Sequence, residues 1–239
     1  MTLVRLSKLM ASQGLCSRRE ADQLIETGQV FVDGLPITTL VTRVPPSSKV
    51  TLARAAQERS KRLVTVILNK PPGYVSGQAE RGYPDAATLI TRTNQWGPKQ
   101  VHLPRPKSLN VAGRLDIDST GLLVLTQDGR IARRLIGPQN DVPKSYKVRV
   151  KGKITTHCVE QLRFGIQLDG RTLKQAKVEK ITENSLVFEL IEGRKRQIRR
   201  MCEIVGLQVH SLHRDRIGNI SIGRLPRGRW RFLKDGEYF

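Results

Sequence analysis

The chain has 239 residues, 38% of them hydrophobic, which is enough for one good core and a small satellite domain. Its 42 Lys and Arg against 21 Asp and Glu give a formal net charge of +21, a self-repelling field that a polyanion relieves, so nucleic acid is the expected partner. No window reaches transmembrane length, the N-terminus lacks the apolar core of a signal peptide, and aromatics at 5% leave few platforms for indiscriminate single-strand stacking.

The first 52 residues read as a compact unit. Leu6, Leu9 and Met10 recur at helical spacing, and Gly14 stops the run. Ser17-Arg18-Arg19-Glu20 is a capping box, in which each end supplies the other with a backbone partner. Ala21, Leu24 and Ile25 share the face of the helix that follows, and Gly28 is placed to end it. Val30 and Val32 then alternate into Asp33-Gly34, a hairpin turn signal, and on into Pro36 to Leu40. This unit holds 6 basic and 4 acidic residues, so nearly all of the +21 belongs to the rest of the chain. Residues 53–62 (A-R-A-A-Q-E-R-S-K-R) lack bulky apolar side chains and read as a charged linker, dividing the chain into 1–52, 53–62 and 63–239.

The larger part opens with a strand, Leu63 to Leu68, stopped by Asn69-Lys70-Pro71-Pro72-Gly73. Arg81 to Ser108 is polar, proline-containing and loop-like, with Trp96 and Arg105 as candidate contacts. Leu122 to Thr126 is an apolar strand, and Asp128-Gly129 turns it into a helix from Arg130 to Leu135. Tyr146 to Val150 alternates like a half-buried strand, and Ser185 to Ile191 is another. A last helix starts near Lys195, with Ile198, Met201, Cys202 and Val205 as its core-facing stripe. Strands outnumber helices without regular βαβ alternation, so the expected class is α+β.

Three widely spaced cysteines, Cys16, Cys158 and Cys202, form no C-x-x-C pair, and a reducing cytoplasm is expected. Neither a phosphate-cradling G-x-x-x-x-G-K-[ST] loop nor a G-x-G-x-x-G is present. The histidines His102, His157, His210 and His213 do not combine with cysteines at zinc spacing, and His210 and His213 read as a surface pair. That leaves Gly113-Arg114-Leu115-Asp116-Ile117-Asp118-Ser119-Thr120-Gly121. It reads as a loop whose Asp and Ser side chains bond local backbone, as Asp-x-Asp oxygen ligands for a divalent ion, or as a nucleophilic aspartate held ionised by a cation. Spacing alone does not choose among them.

R-L-S-K-L-M-A-S-Q-G-L-C-S-R-R-E-A-D-Q-L-I-E-T-G-Q-V-F-V-D-G resembles the RNA-binding domain named after small-subunit ribosomal protein four. The resemblance implies that Arg5, Lys8, Arg18 and Arg19 face RNA phosphates. An ordinary solvated first turn is the alternative for Arg18 and Arg19, although cations at a helix N-terminus oppose its dipole.

Further along, G-R-L-D-I-D-S-T-G-L-L-V-L-T-Q-D-G, preceded by N-K-P-P-G-Y-V-S and followed by K-S-Y-K-V and E-G-R-K-R-Q-I-R-R-M, resembles the RsuA-like branch of RNA pseudouridine synthases. The implied fold is a small N-terminal helical and hairpin RNA-binding domain, then a catalytic domain built on a mixed, mainly antiparallel sheet with flanking helices. The implied activity isomerises a uridine to pseudouridine in structured RNA, with no cofactor and no metal. Asp116 matches the essential aspartate, Tyr146 the active-site tyrosine, and Arg199 the basic residue that pairs with the aspartate. Arg114 is expected to fill the space left by a flipped uridine or to clamp the flanking backbone; a salt bridge to Asp118 is its alternative. Asp118 and Asp128 are then loop and turn residues. Arg194, Lys195, Arg196 and Arg200, placed at the start of the last helix, are expected to contact phosphates.

Within the branch, R-Q-I-R-R-M-C-E and R-I-G-N-I-S look most like the RluF-type enzymes, which implies a stem-loop of large-subunit ribosomal RNA and a similar tRNA loop as substrates. A small-subunit target is the alternative within the enzyme class, and a non-catalytic RNA-binding ribosome-assembly factor is the alternative outside it. Gln95 to Lys107 departs from the compact family pattern. A monomer is expected, without membrane contact.

Overall fold

The computed structural model of the chain describes residues 2–77, 82–98, 103–137 and 140–239. Arg81, His102 and part of the Gln95 to Lys107 segment lie outside the described residues. The N-terminal unit comprises β1 (Val4–Arg5), α1 (Leu6–Ser12), α2 (Arg18–Glu26), β2 (Val30–Val32), β3 (Leu35–Ile37), β4 (Arg43–Val44) and β5 (Val50–Leu52). The capping box forms as read: the Glu20 amide donates to Ser17 Oγ at 3.1 Å, and the Ser17 amide donates to Glu20 Oε2 at 3.4 Å. Asp33 and Gly34 both take positive φ, 49° and 87°, as a two-residue hairpin turn between β2 and β3 requires. Leu6, Leu9, Met10, Ala21, Leu24 and Ile25 close the small core against the β2 valines.

Residues 53–62, read from their polarity as a charged linker, are largely helical. They form α3 (Arg54–Lys61), and Ala56 packs into the N-terminal core. Alanine, arginine and glutamine are good helix formers, and one small apolar residue is enough to seat a two-turn helix.

The larger part continues with β6 (Thr65–Lys70), β7 (Asn110–Val111), β8 (Thr120–Thr126), α4 (Gly129–Ile136), β9 (Lys144–Lys151) and α5 (Thr156–Arg163). There follow β10 (Gln167–Leu168), β11 (Arg171–Thr172), β12 (Lys177–Thr182), β13 (Ser185–Leu190), α6 (Gln197–Ile204), β14 (Gln208–Ile217), β15 (Ile220–Ser221) and β16 (Trp230–Phe232). Among the described residues the main sheet runs β12-β13-β9-β14-β8-β6-β16, with β15 on β14 and β7 on β8. Every one of these pairings is antiparallel except β14 with β8, so the sheet is mixed and mainly antiparallel, in an α+β chain. One core lies between α5, α6 and the β12-β13-β9 side, including Val148, Phe188, Ile198, Met201 and Cys202. Two more cover the faces of β6 and β8, where Ile67, Leu122 and Val124 point one way and Val66, Leu68, Leu123 and Leu125 the other.

The last helix begins later than its pattern implied. Arg194, Lys195 and Arg196 precede it, Arg196 takes a left-handed φ of 52°, and α6 starts at Gln197. The cationic run is therefore a loop leading into the helix, with Arg196 at its N-cap. His210 and His213 lie on strand β14, where the Nδ1 of His213 is 3.0 Å from Thr120 Oγ1. Among the described residues no helix is long and apolar enough to cross a membrane.

Candidate active site

The loop from Gly113 to Ser119 is built on the earlier N-K-P-P-G-Y-V-S motif. The Lys70 side chain is fully buried at the end of β6, and its ammonium donates to the carbonyls of Pro71 (2.9 Å), Ser119 (2.9 Å) and Ile117 (3.3 Å). Burial pushes its pKa down to about 8, while Asp118 and Asp116 pull it upward. The Gly73 amide donates to the Ile117 carbonyl at 2.9 Å. Ser76 Oγ donates to the Leu115 carbonyl at 2.9 Å and accepts from the Leu115 amide at 3.2 Å. Two motifs far apart in the chain are thus one object: the first is the frame, the second the loop it holds.

That loop faces a cleft of about 1190 Å³ lined by Arg114, Asp116, Asp118, Lys144, Tyr146, Arg199 and Arg214, with Arg194, Lys195 and Arg196 along one wall. Asp116, Tyr146 and Arg199, drawn from a loop, a strand and a helix, share this one space. Asp116 is half-buried, and its carboxylate makes no ion pair among the described residues.

The predicted partnership of Arg199 with Asp116 is not the one formed. The Arg199 side chain, 8% exposed, places Nη2 3.0 Å from Asp118 Oδ2, and Arg196 Nη1 is 3.5 Å from the same oxygen. Arg199 also donates to the Val209 carbonyl at 3.4 Å and to Ser119 Oγ at 3.5 Å. Asp118 is therefore the clamp on a buried guanidinium rather than a bystander in the loop, and it leaves Asp116 open to the cleft. Asp128 is a capping residue as expected: Oδ1 accepts the Arg130 amide at 2.8 Å at the start of α4, and its carboxylate pairs with the Arg130 guanidinium.

Sequence reasoning missed Arg214 and Lys144. Arg214 is 2% exposed. Its Nε donates to the Leu122 carbonyl at 2.8 Å, its Nη2 to the Gly113 carbonyl at 2.9 Å and its Nη1 to the Arg114 carbonyl at 3.4 Å. Its guanidinium carbon also stands 6.0 Å from the Tyr146 ring centre, so one side chain sets both the loop and the tyrosine. Its only signal in the chain is a cation on the same strand face as buried Leu212. Lys144 stands two residues before Tyr146, hence on the same face of β9.

The expected phosphate contacts divide. Lys8, Arg18, Arg19, Arg114, Lys195 and Arg196 are exposed. Arg5 is half-buried and 3.5 Å from Asp22. Arg194 donates to the Leu168 carbonyl at 3.0 Å, and Arg200 holds Asp169 through two bonds of 2.9 and 2.7 Å. These last two brace the β10-β11 hairpin to the start of α6. Among the described residues no three of His, Cys, Asp and Glu converge as a metal site.

Comparison with known proteins gives the frame for this geometry. The RNA pseudouridylate synthase family model matches residues 64–204, and the S4 domain model matches residues 4–50. The chain is 35% identical to the dual-specificity RNA pseudouridine synthase RluF of Escherichia coli K12, over 98% of this chain and 77% of that protein. It is 38% identical to an uncharacterized RNA pseudouridine synthase of Mycobacterium tuberculosis H37Rv, over 98% of this chain and 91% of that one. Among solved structures it is similar to a pseudouridylate synthase crystal structure, with a TM-score of 0.67, 26% identity, and 97% and 96% of the two chains covered.

Proposed function

Because the chain belongs to the RNA pseudouridylate synthase family, and so is an RNA-modifying isomerase with an RNA-binding S4 domain, we propose that it converts one uridine of a large-subunit ribosomal RNA stem-loop, and a similar tRNA loop, with Asp116 as nucleophile. The observation that carries the assignment of residues is the meeting of Asp116, Tyr146 and Arg199 at one cleft, from widely separated positions in the chain. The dual specificity named for the E. coli relative fits two RNA substrates.

The reaction needs no net gain or loss of atoms. The target nucleotide leaves its stack, at a cost of a few kcal/mol that is least in a loop. Its base lies against Tyr146, and the Asp116 carboxylate attacks C1′ of the ribose. The C1′–N1 bond breaks with its electron pair going to N1. The uracil rotates, C5 bonds to C1′, and the carboxylate is released with its electrons. The C5 proton leaves, aided by the Tyr146 hydroxyl, and a proton is returned to the ring nitrogen. Arg199, fixed by Asp118 and Ser119, holds a positive charge at the cleft that the nucleophile faces. Arg114 enters the space the base has left. Lys8, Arg18, Arg19, Lys195 and Arg196 hold phosphates.

Within this reading, residues 1–52 bind RNA, 53–62 connect, and 63–239 catalyse. The protein acts as a monomer in the cytoplasm, where Cys16, Cys158 and Cys202 stay free as they are here.

Pseudouridine mapping across ribosomal and transfer RNA, with and without the protein, tests the substrate. One large-subunit site is expected to depend on it, accompanied by a tRNA site. A dependent site in small-subunit RNA would replace that target, and no dependent site anywhere would favour an assembly factor. RNA binding is also expected to weaken with salt at a log–log slope of about −0.7 for each phosphate neutralised on single strands. A flat response in a binding titration would remove the phosphate roles assigned to the exposed cations.

A further inference from the structure

Lys144 is the buried cation that the mechanism so far leaves unused. It begins β9, pairs across to Leu190 of β13 and Ile217 of β14, and lines the cleft on the same strand face as Tyr146. The residue is 7% exposed, and its ammonium is covered in this conformation with no hydrogen-bond acceptor among the described residues. Lys70, the other deeply buried lysine, has three carbonyls around its ammonium. A buried charge without an acceptor loses its hydration uncompensated, which a fold tolerates where a ligand supplies the missing group. Burial and then the neighbouring Arg214 push the Lys144 pKa down to about 8, with Asp141 pulling the other way.

Uracil is planar, and its carbonyl oxygens are the acceptors such an ammonium can meet. Once the C1′–N1 bond opens, the electron pair on N1 spreads over both carbonyls, so the ring becomes an anion inside the cleft. We propose that Lys144 is the cationic subsite for this detached uracil: its ammonium, swung from its covered position into the cleft that the residue lines, binds a ring carbonyl and carries the countercharge while the base turns from N1 to C5 attachment. No proton need leave Lys144 in this role. The ring is an anion only between the two bonds, so the contact strengthens as the glycosidic bond stretches and relaxes when C5 bonds to C1′. Lys144 then holds the leaving base while Asp116 holds the sugar. The inference rests on the reading of the cleft as the uridine site.

The test is single-turnover kinetics with enzyme in excess, on an RNA fragment carrying the mapped target as uridine or as 5-fluorouridine. Loss of the N-linked nucleoside is followed after nuclease digestion. Fluorine stabilises the ring anion by itself and so substitutes in part for a lost countercharge. Lys144→Met is expected to slow loss of uridine about 100-fold, the scale of one preorganised stabilising contact. The loss with 5-fluorouridine is expected to stay within about tenfold, and RNA affinity within about twofold. Both rates come from one preparation, so the fraction folded cancels in their ratio; Lys144→Gln replaces the Met variant if that is insoluble. An unchanged rate, an equal loss on both substrates, or a defect confined to RNA affinity would each overturn the assignment. If the wild-type protein consumes neither substrate, the reading of the cleft falls with it, whereas an active wild type confines any failure to the role of Lys144.

Discussion

Asp116→Ala is expected to abolish pseudouridine formation, with single-turnover rates down by at least about 10⁴-fold, while RNA affinity stays within about twofold of wild type. The carboxylate is the group assigned to attack C1′, and its nearest neighbour in the loop is not free to replace it. Asp118 is held by Arg199 and Arg196. Affinity is spared because RNA is held by cations, and removing a negative charge from the cleft wall lessens repulsion. The fold is spared as well, since the half-buried Asp116 carboxylate makes no ion pair among the described residues and the loop is framed by Lys70, Gly73 and Ser76 through backbone atoms. A melting curve, a binding titration and a nucleoside assay on one preparation check all three claims. Residual turnover above background in the variant would remove Asp116 from the nucleophile's role.

Gly121→Ala is expected to be strongly damaging, because it adds a methyl group in β8 directly after the loop. Gly121 has a φ of +107°, and a Cβ there would stand 2.2 Å from the Arg214 carbonyl oxygen and 2.8 Å from its amide nitrogen. Both obstacles are backbone, so no side chain can swing aside. Gly121 pairs with Arg214 where β8 runs parallel to β14, and with Lys70 on its other flank. Relief requires β14 to part from β8, which pulls Arg214 away from the Gly113 and Arg114 carbonyls and from the Tyr146 ring. Backbone strain of about 1–3 kcal/mol adds to an overpacking cost of about the same size. A total of about 4 kcal/mol corresponds to a fall in melting temperature on the order of 10 °C for a chain of this length, with activity falling alongside. Gly223→Ala is the matched control: Gly223 also has positive φ, +54°, but its Cβ would meet nothing within 4 Å. Equal melting temperatures for the two variants would show that the close approach at Gly121 costs nothing.

The chain's own pattern determined what depends on neighbours three or four residues apart. The Ser17–Glu20 capping box, the Asp33-Gly34 turn, the Ile198, Met201 and Cys202 stripe and the Asp128 cap all form as read, because each is a short-range contact that few alternatives can displace. The α+β class and the family were also legible, the class from strands that outnumber helices without βαβ order, and the family from four ordered motifs. The lack of large apolar residues at 53–62 left the linker's conformation open, and helix propensity with one alanine facing the core made it a helix.

Tertiary structure decided which charges meet. Asp116 and Asp118 are two residues apart in one loop, and nothing in their spacing says which of them Arg199 will reach; the turn closed by the Ser119 amide on the Asp116 carbonyl gives it Asp118. Lys70 and Ser119 are 49 residues apart, and Arg214 and Gly113 are 101 apart. Such pairs carry no periodic signal, because they are set by the register of β6, β8, β9 and β14 rather than by any local turn. The same register puts Lys144, without an acceptor among the described residues, beside Tyr146. A cation's role depends on whether water or an acceptor surrounds it, and only the packed sheet settles that for Lys70, Lys144 and Arg214.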